Sequence, residues 1–155
     1  MDLTTLLFGL RGRINRAKYW LVFLIVTGAV SLCLIVTAVM GGTEGISQLL
    51  SSDIFLLAST IILGWIGLAA GAKRLQDRNK GPWWLLLFFA LPAVLDGIGT
   101  AFGEDSTTGL VFGATSLAIG LWAFIELACL KGTAGPNDYG ADPLDRPPPL
   151  PGAPR

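Results

Sequence analysis

Two carboxylates, Asp96 and Glu126, interrupt long apolar stretches of the chain. In a membrane a charged side chain costs about 2.5–3.5 kcal/mol on insertion scales, and such residues often line ion or proton pathways. Asp96 lies 13 residues into its stretch and Glu126 four residues before the end of its own, so roughly 14 Å separates them along the membrane normal. That distance argues against one shared site. The alternative is structural, with Asp96 near the outer interface and Glu126 paired with an inner-face arginine.

The chain contains few of the residue types that common catalytic sites require. The chain has no histidine, which excludes histidine-based acid–base catalysis, Ser-His-Asp triads and imidazole metal ligands. Cys33 and Cys129 have no CxxC spacing and are expected to pack as small apolar residues. They should not form a disulfide, because Cys33 lies about 21 Å from the inner end of its stretch and Cys129 lies near the inner surface. We therefore expect no enzymatic activity, no metal and no cofactor.

These residues must be positioned by four apolar stretches of 19 to 22 residues each. The stretches cover residues 19–40, 54–72, 83–102 and 110–130. About 20 helical residues, at a rise of 1.5 Å each, cross a hydrocarbon core of roughly 30 Å. The sequence therefore predicts an all-α integral membrane protein built as a four-helix bundle. Charged residues make up only 14% of the chain, which excludes a nucleic-acid binder with a large basic face.

The basic residues are distributed unevenly along the chain. All 11 Lys and Arg residues lie before the first stretch, between the second and third, or after the fourth. The other two loops, residues 41–53 and 103–109, hold none and carry acidic residues instead. Cytoplasmic loops are enriched in Lys and Arg. Both termini are therefore predicted to be cytoplasmic in a multi-pass protein.

The predicted domain covers residues 1–143, followed by a tail. Its helices are expected at about 16–40, 54–78, 83–102 and 110–130. Leu3, Leu6, Leu7 and Leu10 recur at helical spacing, which predicts a short amphipathic segment on the inner leaflet; a frayed terminus is the alternative. Residues 144–155 are rich in proline and are predicted to be disordered.

Small residues within the apolar stretches indicate where helices pack. Gly67 and Gly71 form a GxxxG pair, and Gly113, Ser116 and Gly120 recur three and four residues apart. In lipid, small side chains let helix backbones approach closely. These faces are therefore expected to meet other helices of the bundle.

Three segments that face the cytoplasm carry more specific patterns than connectors need. They read GRINRAKYW at 12–20, KRLQDRNKGPWW at 73–84 and GPNDYGADP at 135–143. Together they resemble the bacterial domain of unknown function 805 family, which includes YhaH-like inner-membrane proteins. Lys73 stands where that family usually has arginine, Gln76 replaces a common histidine, and Pro82 precedes Trp83. The resemblance implies a four-helix domain of the bacterial inner membrane with no assigned activity.

A polar cluster is predicted at the cytoplasmic face. Its members are expected to be Arg13, Arg16, Arg74, Asp77, Asn137 and Tyr139. Arg74 and Asp77 can pair because they lie three residues apart on one helix face. The turn that contains Asn137 begins about five residues after the fourth helix and can reach roughly 17 Å, enough to fold beneath the bundle. The cluster is either a structural latch for the C-terminal segment or a site whose arginines bind a phosphate or carboxylate.

The leading interpretation is a non-enzymatic membrane module. Its basic cytoplasmic face would bind anionic lipid headgroups, an anionic ligand or a protein partner, since each basic residue near a membrane contributes about 1 kcal/mol toward anionic lipid. The alternative is a small oligomeric channel or transporter that uses Asp96 and Glu126. Both interpretations place the chain among inner-leaflet lipids, allow a homo-oligomer and involve no nucleic acid.

Overall fold

The computed structural model describes residues 2–103 and 106–144. Within these ranges the chain is helical, apart from one isolated β-bridge between Asn137 and Gly140. The elements in chain order are α1 Leu3–Phe8, α2 Arg16–Ser51, α3 Asp53–Asp77, a π-helical segment π1 Leu86–Ala90, α4 Leu91–Phe102, α5 Thr107–Phe124 and a second π-helical segment π2 Ile125–Cys129. The predicted all-helical class is confirmed for this part of the chain. The predicted tail lies outside the described residues from residue 145 onward.

Three helices are long and apolar enough to cross a membrane, namely α2, α3 and the unit formed by α5 and π2. The unit formed by π1 and α4 is also apolar but covers only the 17 residues Leu86–Phe102. At 1.5 Å per residue it extends about 25 Å, slightly less than a hydrocarbon core of roughly 30 Å. The described chain thus contains three or four helices that could span a membrane.

Helix α2 is longer than the predicted helix at residues 16–40. Its start is capped by Asn15, whose side-chain oxygen accepts from the backbone N–H of Lys18 at 2.9 Å. The helix continues to Ser51 across a kink at Gly42, where φ is 62°, a conformation that glycine adopts without steric cost. The predicted loop at 41–53 is therefore mostly helical, because no proline follows the kink to prevent the helix from resuming.

Helix α3 carries three buried charged side chains, Lys73, Arg74 and Asp77, at its C-terminal end. Ser52 caps its start by accepting from the N–H of Phe55 at 3.4 Å, and the helix ends at Asp77, one residue before the predicted boundary. Residues 71–77 are all buried, because α1 and π2 both pack on this part of α3. We call the end of the bundle where residues 10–15, 73–80 and 130–140 meet the basic end.

Helices α4 and α5 form a tight hairpin. A Cβ atom on Gly99 would lie 3.3 Å from the carbonyl oxygen of Gly109, so the two backbones approach closely and leave little room for a side chain. The Ser116 hydroxyl donates to the carbonyl of Pro92 at 3.3 Å. Pro92 has no N–H to donate, and the turn directly before it is π-helical rather than α-helical.

The small residues noted in the sequence do not all mediate packing within the chain. Gly71 lies against the ring of Phe89, where an added Cβ would come within 3.1 Å. By contrast Gly67, Gly113 and Gly120 have no neighbouring atom within 4 Å of where a Cβ would lie. The expectation of helix contacts is thus met at Gly71 and not at these three glycines.

Two hydrophobic clusters extend from the basic end into the bundle, one through Ile14 and the other through Leu75. The first contains Leu6, Ile14, Val22, Ile66 and Ala70, and the second contains Leu75, Phe88, Ala123 and Leu127. Tyr19 packs against both clusters and so joins α2 to each half of the molecule. Leu6 anchors α1 on α3, whereas Leu3 is exposed. The N-terminal segment is therefore a docked helix rather than a frayed terminus.

Candidate functional site

The basic end holds a buried triad of charged side chains. Asp77 pairs with Arg74 on the preceding turn of α3 and, at 3.2 Å, with Nε of Arg13. Arg74 is 0% exposed, Asp77 1% and Arg13 6%. Because burial removes the hydration of all three groups, the two guanidinium groups depend on this carboxylate as their counter-charge.

Arg13 also holds the segment that follows α5. Its guanidinium donates to the carbonyls of Gly135 at 2.8 Å, Gly140 at 3.0 Å and Thr133 at 2.8 Å. The planar guanidinium offers five N–H donors in a fixed fork. One side chain can therefore fix residues 133–140 against α3 while it remains paired with Asp77.

The same segment satisfies the last carbonyls of α3. The backbone N–H and the hydroxyl of Thr133 both donate to the carbonyl of Asp77, at 2.9 and 3.0 Å. The amide of Asn137 donates to the carbonyl of Gln76 at 2.9 Å. A helix leaves its final four carbonyls without partners inside the helix. Residues 133–137 supply two of those partners and so act as an external cap.

The turn itself is closed by Asn137. Its side-chain oxygen accepts from the N–H of Tyr139 at 2.9 Å, and its backbone exchanges hydrogen bonds with Gly140 at 3.0 and 3.1 Å. Gly140 has φ 129°, which requires glycine. Gly132, at the entrance to the segment, leaves no room for a side chain, since an added Cβ would overlap the carboxylate of Asp77.

Arginines also satisfy carbonyls at the end of the α5–π2 unit and in the two residues that follow it. Arg74 donates to Leu127 O and Leu130 O, Arg16 to Cys129 O and Arg78 to Lys131 O. Positive charge near a helix C-terminus is favourable because the exposed carbonyls carry partial negative charge. Arg74 therefore joins the ends of α3 and α5 in addition to pairing with Asp77.

Glu126 lies beside this cluster and has two cationic partners of its own. One of its oxygens accepts from Arg78 at 2.6 Å and from Lys80 at 2.5 Å. Lys80 also lies 4.0 Å from the ring centre of Trp84. Asp96, the other carboxylate of the apolar stretches, is on an exposed face of α4. The structure thus places Glu126 with basic-end cations and leaves Asp96 apart from them.

Comparison with known protein families assigns the chain to one of them. Residues 7–141 match the family described as protein of unknown function (DUF805). The matched range runs from the last residues of α1 through π2 and includes residues 133–140, which we call the cap segment. The chain belongs to the DUF805 family. Its membership confirms the resemblance carried by the three motifs, which the fold brings together at the basic end. Comparison with curated proteins and with solved structures finds no significant match.

The predicted site residues of this DUF805 protein fall into two groups. Arg13, Arg74, Asp77 and Asn137 form one connected network with the cap segment. Tyr139 joins it through its backbone N–H. Arg16 lies at the edge of the network and is exposed, with one hydrogen bond at 3.0 Å to Cys129 O.

The sequence interpretation missed the role of Lys73. Its ammonium donates to the carbonyls of Thr5 at 2.8 Å and Leu6 at 2.5 Å, and Trp65 donates to the carbonyl of Phe8 at 3.2 Å. Helix α1 has only six residues and therefore leaves most of its carbonyls without internal partners. That shortness is the signal from which a buried cation opposite α1 could have been inferred.

Both cysteines of the DUF805 chain are free thiols, and both are exposed. Among residues 2–103 and 106–144, no three His, Cys, Asp or Glu side chains come together as a metal site would require.

The basic residues at this end of the molecule thus have unequal roles. Arg13, Lys73 and Arg74 are buried and engaged with backbone carbonyls or carboxylates. The side chains of Arg11, Lys18 and Lys131 make no hydrogen bond or ion pair within the described residues. Arg11 and Lys131 are exposed and Lys18 is half-buried, so these are the charges that a ligand could reach.

Proposed function

We propose that this DUF805 protein is a non-enzymatic module of the bacterial inner membrane, whose basic end binds anionic lipid headgroups. It crosses the membrane four times, and both termini and the basic end face the cytoplasm. The unit of π1 and α4 serves as the fourth crossing, and Trp83, at the start of its apolar stretch, lies in the headgroup region.

The observation that carries this proposal is the division of the cations. The cations at the centre of the basic end are already bonded to groups that hold α1, α3, α5 and the cap segment together. Those at its rim, Arg11, Arg16, Lys18 and Lys131, retain donors that point to no described partner. Cations with unused donors at the level where helices enter the membrane attract anionic lipid, at about 1 kcal/mol per residue.

The arrangement of the buried groups supports a role other than catalysis. Asp77 and Glu126 are each paired with two cations, and Arg74 is engaged on three sides by Asp77, Leu127 O and Leu130 O. Groups held in this way position helices. The network therefore acts as a latch, and the ligand surface lies outside it.

Native mass spectrometry from nanodiscs that contain equal amounts of phosphatidylglycerol and phosphatidylcholine tests this function. We expect the protein to emerge with phosphatidylglycerol adducts in excess, and the excess should fall as salt rises because exposed charges are screened. Equal retention of both lipids would contradict the proposal. Ion flux in liposomes that is lost in Asp96→Asn and Glu126→Gln would support the channel alternative instead.

A further inference from the structure

An open groove of about 550 Å³ runs between the start of α2 and the end of π2. Its lining residues are Asn15, Arg16, Ala17, Trp20, Ala128, Cys129 and Leu144. A smaller cavity of about 30 Å³ continues from it and is lined in addition by Arg74, Asp77, Lys131 and Gly132. The volume of the groove lies within the range of about 300–1,000 Å³ that is typical of small-molecule sites.

The two ends of the groove differ in chemistry. Arg16 and Asn15 make one end polar, and Lys131 lies at the adjoining cavity. Ala17, Ala128 and the ring of Trp20 make the other end apolar. Trp20 is fixed by an edge-to-face contact with Phe124, at 6.1 Å between ring centres. The groove therefore has the polar–apolar division of a phospholipid.

The cations at the polar end are available to a ligand. Arg16 is oriented by its bond to Cys129 O, which uses one of its five N–H donors. The ammonium of Lys131 has no bond or ion pair within the described residues. Asp77, which lines the small cavity, is already paired with Arg13 and Arg74. An anion would thus be held at the mouth, between Arg16 and Lys131, rather than beside the carboxylate.

We infer that this groove seats one glycerophospholipid with an anionic headgroup. Its phosphate lies between Arg16 and Lys131, and an acyl chain follows Trp20 into the membrane. The occupant is a lipid because Arg16 begins the membrane-spanning helix α2, so the polar end lies at headgroup depth and the apolar end below it. The inference rests on the proposed function and adds to it one defined site with a stoichiometry of one.

The test compares two double variants that remove the same charge from different places. Arg16→Gln with Lys131→Gln changes the groove, and Arg11→Gln with Lys18→Gln changes rim cations that do not line it. We expect the groove variant to bind phosphatidylglycerol about 30-fold more weakly at the one-lipid site, from roughly fivefold for each basic residue. The matched variant should retain that single lipid, although its general excess of anionic lipid falls.

Two further measurements guard against a folding defect, since Arg16 also bonds to Cys129 O. Ala17→Trp places a large ring in the groove at an exposed position without any change in charge, and it should expel the same lipid. In the wild type, bound phosphatidylglycerol should slow maleimide modification of Cys129, which lines the groove, relative to Cys33 in α2.

The possible outcomes distinguish failure of the groove site from failure of the proposed function. If both double variants lost the single bound phosphatidylglycerol equally, while phosphatidylglycerol adducts still exceeded phosphatidylcholine adducts, the groove site would be refuted. The proposed function would then still stand. No excess of anionic lipid in any protein would refute both. Displacement of the lipid by millimolar inorganic phosphate would show a site for free anions and overturn the lipid assignment. A lipid-free dimer that is broken by Ala17→Trp would assign the groove to a second copy of the chain.

Discussion

Replacement of Arg13 by alanine provides the sharpest test of the network at the basic end. The Arg13 guanidinium donates to three carbonyls of the cap segment at 2.8–3.0 Å and pairs with Asp77 at 3.2 Å, with its side chain 1% exposed. In Arg13→Ala all of these contacts are lost together. The cap segment should then be held less firmly on α3, because it keeps the bonds of Thr133 and Asn137 to α3 carbonyls but loses its link to the buried carboxylate.

The size of the effect follows from the burial of the pair. Removal of one partner of a buried ion pair costs about 3–5 kcal/mol, since the other charge is left without compensation. Asp77 keeps Arg74 as a second partner, so the expected loss lies at the lower end of that range. A loss of about 3 kcal/mol corresponds to a change of roughly a hundredfold in the unfolding equilibrium.

The free energy of unfolding can be measured by titration with SDS in mixed micelles, with tryptophan fluorescence as the signal. Arg11→Ala is the matched control, because it removes an exposed arginine two positions earlier and should change the free energy by no more than about 0.5 kcal/mol. Trypsin cleavage after Lys131 reports on the cap segment directly and should accelerate only in Arg13→Ala.

A difference of less than about 1 kcal/mol between the two variants would refute the latch. A double-mutant cycle with Asp77→Ala then isolates the pair. Residues in one ion-pair network couple by about 0.5–3 kcal/mol, and the absence of coupling would mean that Arg13 acts through the carbonyls alone.

The other expected effects concern close packing, the second carboxylate and the topology. Gly132→Ala should destabilise the fold by about 1–3 kcal/mol in the same titration, because the new Cβ displaces the Asp77 carboxylate from its partners. Glu126→Gln should cost about 1–3 kcal/mol by leaving its two cations without a counter-charge. Reporter fusions at Glu44 should read outside the membrane and fusions at Lys80 should read inside.

The two substitutions each have a control within the chain. Gly120→Ala should be neutral or slightly stabilising, since nothing lies within 4 Å of its Cβ position. Asp96→Asn should not lower stability, because that carboxylate is on an exposed face. Equal effects of Gly132→Ala and Gly120→Ala would contradict the packing described for the cap segment, and one reversed reporter would overturn the four-span topology.

The sequence alone determined the features that depend on a single chain segment. Apolar length sets whether a helix can cross a membrane, so α2, α3 and the α5–π2 unit could be found from composition and spacing. Helical periodicity places Arg74 and Asp77 on one face whatever surrounds them. The family followed from three ordered motifs, because those segments supply the cap, the buried charges and the helix starts of one network.

Only the tertiary structure decided which group each basic side chain bonds to. Lys73 and Arg13 both hold backbone carbonyls from distant parts of the chain, while Lys131 holds none among the described residues. Every residue carries a carbonyl, so the acceptor of a long basic side chain has no sequence signature. The carbonyl that each cation reaches depends on which helix ends lie together. The packing of glycines and aromatic rings decides that. For the same reason the groove beside Arg16 became visible only when α2 and π2 were placed side by side.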